Sequence, residues 1–278
     1  MDLKYVQTTC PYCGTGCSLN LVVKDGKVVG TAPYHRSPVN EGKLCPKGTY
    51  AHEFINSPDR LTKPLIKKDG KFVEATWDEA LKLIAEKFKS YKPDECACLA
   101  SARVSNEDNY AMMKFARGVL KTKHIDHCAR LCHASTVAGL ANIFGSGAMT
   151  NSIGDIAEAK CIFIIGSNTF ECHPLIGRRV MQAKAKGAKF IYADPRLTAT
   201  GKQADAFLQF RSGTDVALLN GLMHEIIKNG WENKDFIEKR CNGYDDLKKE
   251  VMKDEYSLEN VSSITGVPVD NLKIAAEW

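Results

Sequence analysis

Cys161-Ile-Phe-Ile-Ile165 and Ala188-Lys-Phe-Ile-Tyr-Ala193, with a helix-forming stretch over 175–186 between them, decide the fold. Each run is almost continuously apolar, as a strand must be when helices cover both faces of its sheet. A strand, a helix and a further strand in that order predict a parallel sheet. A third strand over 205–210 and a helix over 216–228 continue the alternation. The expected class is therefore α/β, a doubly wound, Rossmann-like set of αβα layers. In such sheets ligands bind beyond the carboxyl ends of the strands. Those loops are Gly166-Ser-Asn-Thr-Phe-Glu-Cys-His-Pro174 and Asp194-Pro-Arg196. Neither carries the G-x-G-x-x-G fingerprint, which argues against an ordinary NAD site. Gly166, Ser167 and Asn168 could approach a phosphate closely, and Asp194 could pair with ribose hydroxyls or a guanine edge. Ordinary αβ connections are an equally good reading of the bare loops. Gly145-Ser-Gly147 follows a helical pattern, which weakens it as a phosphate loop.

Upstream, Thr76-Trp-Asp-Glu79 reads as a capping box. It opens an amphipathic helix with Ala80, Leu81, Ile84 and Phe88 at helical spacing. A short strand is expected over 96–100. A second helix follows Ser105, with Tyr110, Met113, Phe115 and Val119 expected in the core.

Eleven cysteines are many for a chain whose first residues, Met1-Asp2-Leu3-Lys4-Tyr5, carry no secretory signal pattern. Without an oxidising compartment, cysteines point to metal or catalysis rather than disulfides. Cys10-Pro-Tyr-Cys13-Gly-Thr-Gly-Cys17 and the later Cys45 give the spacing C-x2-C-x3-C-x27-C. A tight triplet can hold three corners of a cube, with a distant thiolate at the fourth. Gly14 and Gly16 let the backbone curl around it and aim N–H groups at its sulfurs. This favours a [4Fe–4S] cluster. Structural zinc is the alternative, although zinc sites more often come as two separated C-x2-C pairs. Between the third and fourth cysteines, runs over 18–23 and 27–31 flank Asp25-Gly26, a hairpin signal.

Composition bounds the rest. With 44% hydrophobic and 26% charged residues in 278, the chain reads as globular, of two domains or one large one. A net charge of +5 without a basic block argues against nucleic acid. No apolar run approaches the roughly 20 residues that a membrane span needs. A cytoplasmic location is the expectation.

Asp126-His-Cys-Ala-Arg-Leu-Cys-His-Ala-Ser-Thr-Val-Ala-Gly139, the cysteine pattern with Cys45-Pro-Lys-Gly48, and Gly147-Ala-Met-Thr-Asn151 together carry a resemblance. With Gly166-Ser-Asn168 and Asp194-Pro-Arg196 they follow in order along all 278 residues. The chain closely resembles the catalytic subunit of molybdenum- or tungsten-dependent formate dehydrogenases of the molybdopterin oxidoreductase (dimethyl sulfoxide reductase) family. It looks most like the archaeal enzymes linked to a deazaflavin coenzyme.

The resemblance implies Cys10, Cys13, Cys17 and Cys45 as ligands of the [4Fe–4S] cluster and Cys132 as ligand to Mo or W. The metal is otherwise held by dithiolene sulfurs of a bis(molybdopterin guanine dinucleotide), company that suits a soft thiolate. His133 would handle the proton or orient substrate, and Lys47 would lie between cluster and pterin. Gly147, Thr150, Asn151, Gly166, Ser167, Asn168, Glu171, His173, Asp194, Arg196, Gly213 and Asp215 fall in segments that wrap the pterin dinucleotides. Asp215 has a plainer reading as a helix cap. Cys128 reads as core, and Cys96, Cys98, Cys161, Cys172 and Cys241 match no ligand position.

By the same resemblance the domains are a β-rich cluster module over 1–57, the first part of an αβα domain over 58–130, and a second, pterin-dinucleotide-binding αβα domain over 131–278. The implied reaction is reversible oxidation of formate to CO2, with electrons passing through the cluster to an iron–sulfur or flavin partner subunit. The formate-gripping arginine and the last pterin domain of relatives have no counterpart here. The remainder of the catalytic subunit is thus an expected partner, and these 278 residues alone are expected to be inactive. Nitrate reductases of the family typically have methionine where His133 stands, which tilts the reading to formate. A non-catalytic iron–sulfur carrier that lost its pterin is a further alternative.

Overall fold

The structure, a computed structural model, describes residues 2–278. It forms two compact units, one ending at Thr150 and one running from Asn151 to Trp278.

The first unit opens with an antiparallel sheet of β1 (Lys4–Thr9), β2 (Ser18–Lys24) and β3 (Lys27–Pro33), in that spatial order. Thr9 pairs with Ser18, so the sheet clamps both ends of the loop that carries Cys10, Cys13 and Cys17. Asp25 and Gly26 have φ of 49° and 76°, the two positive values a type I′ hairpin turn requires. The expected hairpin is therefore present, with β1 added to its edge. The same Asp-Gly signal at Asp69-Gly70 joins β4 (Leu65–Lys68) to β5 (Lys71–Glu74), a hairpin the sequence reading passed over.

Between these hairpins lies the helical turn α1 (Pro46–Thr49), with Cys45 at its N-cap. Helix α2 (Trp77–Lys89) starts at the expected capping box, in which Thr76 and Glu79 satisfy each other's backbone N–H groups. Strand β6 (Cys98–Ala100) pairs in parallel with β7 (Ile125–His127). Between them α3 (Asn106–Lys114) begins at a second capping box, Ser105 with Asp108, and runs into a π-helical turn over Phe115–Leu120. The turn α4 (Ala129–Cys132) and helix α5 (Ala134–Phe144) complete the unit.

One expectation fails here. Tyr110, Met113 and Val119 are not core residues but are 69%, 47% and 66% exposed. Their spacing does not keep to one helical stripe, and the wider π turn rotates the following residues further. The fully buried residue is the small Ala116, which lets the backbone approach closely. Phe115 is half-buried, its ring edge-on to Phe88 at 5.9 Å.

The second unit contains the parallel sheet β8 (Cys161–Ile165), β9 (Lys189–Ala193) and β10 (Ala206–Leu208), with β9 central. Its helices are α6 (Thr169–Cys172), α7 (Pro174–Ala185), α8 (Asp215–Lys228), α9 (Lys234–Arg240), α10 (Tyr244–Val251), α11 (Leu258–Thr265) and α12 (Val269–Glu277). The period of two along β9 sorts its side chains to opposite faces. Phe190 and Tyr192 pack with Val180 of α7, whereas Ile191 and Ala193 pack with Leu218 and Leu222 of α8, Val261 of α11 and Leu272 of α12. Helices thus cover both faces, the doubly wound αβα arrangement expected from the sequence. At Gly221 a Cβ would lie 2.7 Å from Val261 Cγ2, so glycine allows α8 and α11 to meet. Among the described residues no helix is long and apolar enough to cross a membrane.

Candidate metal and cofactor sites

The Cys10–Cys17 loop is closed by the Cys10 N–H, which donates to the Cys17 carbonyl at 2.8 Å. Gly16 has φ of 71°, a left-handed conformation that glycine takes at no steric cost. Cys45 sits where α1 begins, its carbonyl accepting the Thr49 N–H at 3.0 Å. The same helical turn carries Gly48, where a Cβ would come within 3.6 Å of Cys10 Sγ. The fourth cysteine and the first are thereby neighbours despite the long intervening segment.

Electrostatics gives the same grouping. Burial pushes the Cys17 thiol up to about 11, reinforced by the nearby Cys10, Cys13 and Cys45. Cys10 is raised as well, by burial and then by Cys45 and Cys13, against the Tyr12 N–H and the Lys47 ammonium, which favour its thiolate. Thiols that oppose one another's ionisation call for cations among them, which metal ions supply. Among the described residues no three His, Cys, Asp or Glu side chains converge as they would around one ion. A zinc ion would need its thiolates at about 2.3 Å from a single centre. A cube lets each thiolate bind its own iron, and three cysteines on one short loop with Cys45 beside Cys10 suit that donor set.

Cys132 lies at the end of α4 with its side chain exposed. Backbone bonds from Cys132 N–H to Cys128 O (3.2 Å) and from His133 N–H to Ala129 O (2.8 Å) fix the turn. Two side chains brace its entrance. Arg130 Nε donates to Asp126 Oδ2 at 2.6 Å, and His127 Nδ1 accepts the Ala129 N–H at 3.0 Å. The Arg130 hydrogen bond, with that from the His127 N–H, holds the Asp126 carboxyl below the usual range.

His133 is half-buried, with Nε2 at 3.2 Å from the Gly147 carbonyl. The tautomer that donates this bond leaves Nδ1 free of a proton and able to accept one. Gly147 itself has no room for a side chain, since a Cβ would sit 2.8 Å from Val137 Cγ1 of α5. The Gly147 loop is thus held against the helix that begins just after His133. Cys128 departs from expectation: it is exposed rather than core. Its Sγ accepts the Ala102 N–H at 3.4 Å, so its place at the α4 N-cap is explained by that bond, not by burial.

Of the residues implied for pterin binding, Gly147 and Thr150 belong to the first unit and the others to the second. Gly166 leaves β8 with φ of 62° and donates to the Ala193 carbonyl at 2.9 Å. Ser167 Oγ shares a 2.9 Å bond with Thr169 Oγ1. The buried Thr200 donates to Asn168 Oδ1 at 2.9 Å and accepts the Phe170 N–H at 3.0 Å, pinning this loop to the one after β9. Glu171 lies in α6, and His173 begins α7, its carbonyl accepting the Gly177 N–H.

Asp194 is buried at the end of β9 with both oxygens engaged. Tyr192 OH donates to Oδ2 at 3.1 Å and the Arg196 N–H to Oδ1 at 2.8 Å. Its first task is to hold the Asp-Pro-Arg turn; the lone pairs left on each oxygen can still accept from a ligand. Gly213 has φ of 82°, and Asp215 occupies the first turn of α8 beside Thr214, which takes the cap position. A carboxylate there interacts favourably with the helix dipole. Thr200, Tyr192 and the brace of Asp126 with Arg130 were not singled out from the sequence. Their partners are remote in the chain or ordinary in type, and only the fold brings them together.

Known proteins share the sequence and fold of this chain. The Molybdopterin oxidoreductase Fe4S4 domain matches residues 3–57, and the Molybdopterin oxidoreductase family matches residues 60–267. The F420-dependent formate dehydrogenase 1 subunit alpha of Methanococcus maripaludis is 55% identical over all of this chain, which covers 41% of that protein. The F420-dependent formate dehydrogenase subunit alpha of Methanocaldococcus jannaschii is 58% identical over 96% of this chain and 39% of its own length. This chain therefore spans about two fifths of these curated relatives. Among solved structures, acetylene hydratase from Pelobacter acetylenicus superposes with a TM-score of 0.78 at 28% identity, covering 97% of this chain and 38% of that one. The cluster loop, the Cys132 turn and the layered αβα unit thus stand in one known context: this chain belongs to the molybdopterin oxidoreductase family, with its Fe4S4 domain at the amino end.

Proposed function

We propose that this chain is the amino-terminal portion of a formate dehydrogenase catalytic subunit, which oxidises formate reversibly to CO2. The observation that carries this reading is the match along nearly all of this chain, at 55–58% identity, to F420-dependent formate dehydrogenase alpha subunits, with Cys132-His133 on a braced turn. A bound Mo or W bis(molybdopterin guanine dinucleotide) would supply the two-electron chemistry.

This chain's own residues would do the following. Cys132 presents a thiolate to the metal. His133, held through Nε2 by the Gly147 carbonyl, accepts the proton released from formate at Nδ1. Cys10, Cys13, Cys17 and Cys45 hold the [4Fe–4S] cluster, and Lys47, close enough to favour the Cys10 thiolate, eases electron passage to it. In the first unit, Gly147 and Thr150 contribute to pterin binding. In the second, Asn151, Gly166, Ser167, Asn168, Glu171, His173, Asp194, Arg196, Gly213 and Asp215 serve the nucleotide parts. The division into a cluster module over 1–57, a first αβα portion over 58–130 and a second over 131–278 goes with this assignment. Electrons then leave for an iron–sulfur or flavin partner subunit and a deazaflavin acceptor of the F420 type, in the cytoplasm.

Formate- and nitrate-dependent turnover of the complete complex, with metal analysis, tests the reading. Formate-driven reduction of a deazaflavin with Mo or W present is the expected result. Nitrate turnover would move the assignment within the family, and iron without Mo, W or pterin would make the protein an electron carrier.

A further inference from the structure

Arg103 lies outside every residue set assigned above, in the loop between β6 and α3. Its guanidinium Nη1 donates to the carbonyl of Tyr12 at 2.6 Å, across 91 positions of sequence. Tyr12 sits inside Cys10-Pro-Tyr-Cys13, between the first two cysteines of the cluster loop. Its N–H bonds to the Cys10 sulfur, and its carbonyl belongs to the peptide whose N–H is that of Cys13. A cation on that carbonyl polarises the peptide and makes the Cys13 N–H a stronger donor.

The arginine is also fixed from behind. The Arg103 N–H donates to Ser101 Oγ at 3.1 Å, Asn109 Nδ2 donates to the Ser101 carbonyl at 3.1 Å, and the Ala102 N–H donates to Cys128 Sγ at 3.4 Å. The same short loop therefore bonds the cysteine that starts the Cys132 turn and the carbonyl at the centre of the cluster loop.

We propose that Arg103 is a positioning residue that locks the Tyr12 carbonyl and, by its charge, raises the reduction potential of the [4Fe–4S] cluster, while Ala102 and Cys128 anchor its loop. This rests on the cluster assignment made above. The physical basis is simple. Reduction adds an electron, and a fixed cation favours the more negative state. Lys47 supplies a second cation on the α1 side, so Arg103 sets the potential jointly with it rather than alone.

The test is a redox titration of the holoprotein followed by the EPR signal of the reduced cluster, in the parent and in Arg103→Gln and Arg103→Lys. Glutamine carries no charge and is too short to keep the bond to the Tyr12 carbonyl, whereas lysine keeps the charge and most of the reach, so the salt dependence separates charge from the lost bond. For Arg103→Gln the reduced-to-oxidised ratio at a fixed potential is expected to fall about tenfold, which is 59 mV for a one-electron couple. Arg103→Lys is expected to stay within about threefold of the parent. Raising the salt concentration should shrink the difference, because the guanidinium is exposed. Equal potentials in all three proteins, or equal shifts in both variants, overturn the role of the charge. Arg103→Lys also covers the case in which Arg103→Gln fails to assemble a cluster, since it must then retain both cluster and potential. A parent protein without any cluster signal would instead remove the cluster assignment, and this inference with it.

Discussion

The Nε2 atom of His133 and the carbonyl oxygen of Gly147 are 3.2 Å apart, although they are 14 positions apart in the chain with the whole of α5 between them. That bond selects the imidazole tautomer and leaves Nδ1 as the basic nitrogen. In the complete complex, replacing His133 with Gln, which can still donate to the Gly147 carbonyl, is expected to lower the proposed formate turnover by about 10²–10⁴-fold, the range for loss of a positioned acid–base group. The cluster EPR signal should be unchanged. Steady-state kinetics beside EPR checks this, and turnover near the parent value would remove His133 from proton handling.

Gly147 supports the same bond by staying small. In Gly147→Ala the new methyl would meet Val137 Cγ1 at 2.8 Å and its Cα at 3.2 Å, and backbone cannot retreat as a flexible side chain does. The loop must shift, at a cost of about 1–3 kcal/mol. Denaturant unfolding should reveal the lost stability, and turnover should fall together with it because the His133 partner moves.

Cys17 predicts a pH dependence of the cluster-free protein. Its thiol is held at about 11 in the fold, by burial first and then by its neighbours, against an ordinary value of 9.0. A raised folded-state pKa stabilises the fold fully below the unfolded value and progressively less as pH climbs towards the folded one. Stability should therefore decline between about pH 9 and 11. Cys17→Ala should flatten that limb in denaturant titrations across this range. Cluster assembly should quicken as pH rises from 7 to 9, because the ligands bind as thiolates. Iron–sulfur absorbance followed in time would show it.

Thr200 is fully buried and bonded on both sides, to Asn168 and to the Phe170 N–H. Thr200→Val keeps the shape and removes both bonds, stranding the Phe170 donor. A loss of about 1–3 kcal/mol is expected. Calorimetry would measure it, and a stability within error of the parent would show that this hydroxyl does not pin the loop.

At the α8–α11 contact, Gly221→Ala should cost about 1–3 kcal/mol, because Val261 is stiff at χ1 and both its methyl groups lie within 2.8 Å of the new Cβ. Thermal unfolding checks this. Cluster spectroscopy should not change, since the proposed cluster ligands belong to the other unit.

What the residues determined by themselves was local and periodic. Cys161–Ile165 and Lys189–Ala193 could be placed as strands because apolar β-rich runs between helices have few alternatives, and the capping-box start at Thr76 is present. The Asp-Gly turn rule was sound, and applied a second time at Asp69-Gly70 it would have found the β4–β5 hairpin. The grouping of three cysteines was legible from spacing alone.

Tertiary structure decided the rest, because hydrogen bonds between distant residues leave no periodicity to read. The placing of Cys45 beside Cys10, the hold of Gly147 on His133, and the burial of Thr200 depend on which loops the folded chain brings together. So does the exposure of Tyr110, Met113 and Val119, where Ala116 rather than the large side chains is buried. Arg103 is the plainest case: in sequence it is an ordinary arginine before a helix cap, and only the fold sets its guanidinium on the Tyr12 carbonyl, between Cys10 and Cys13.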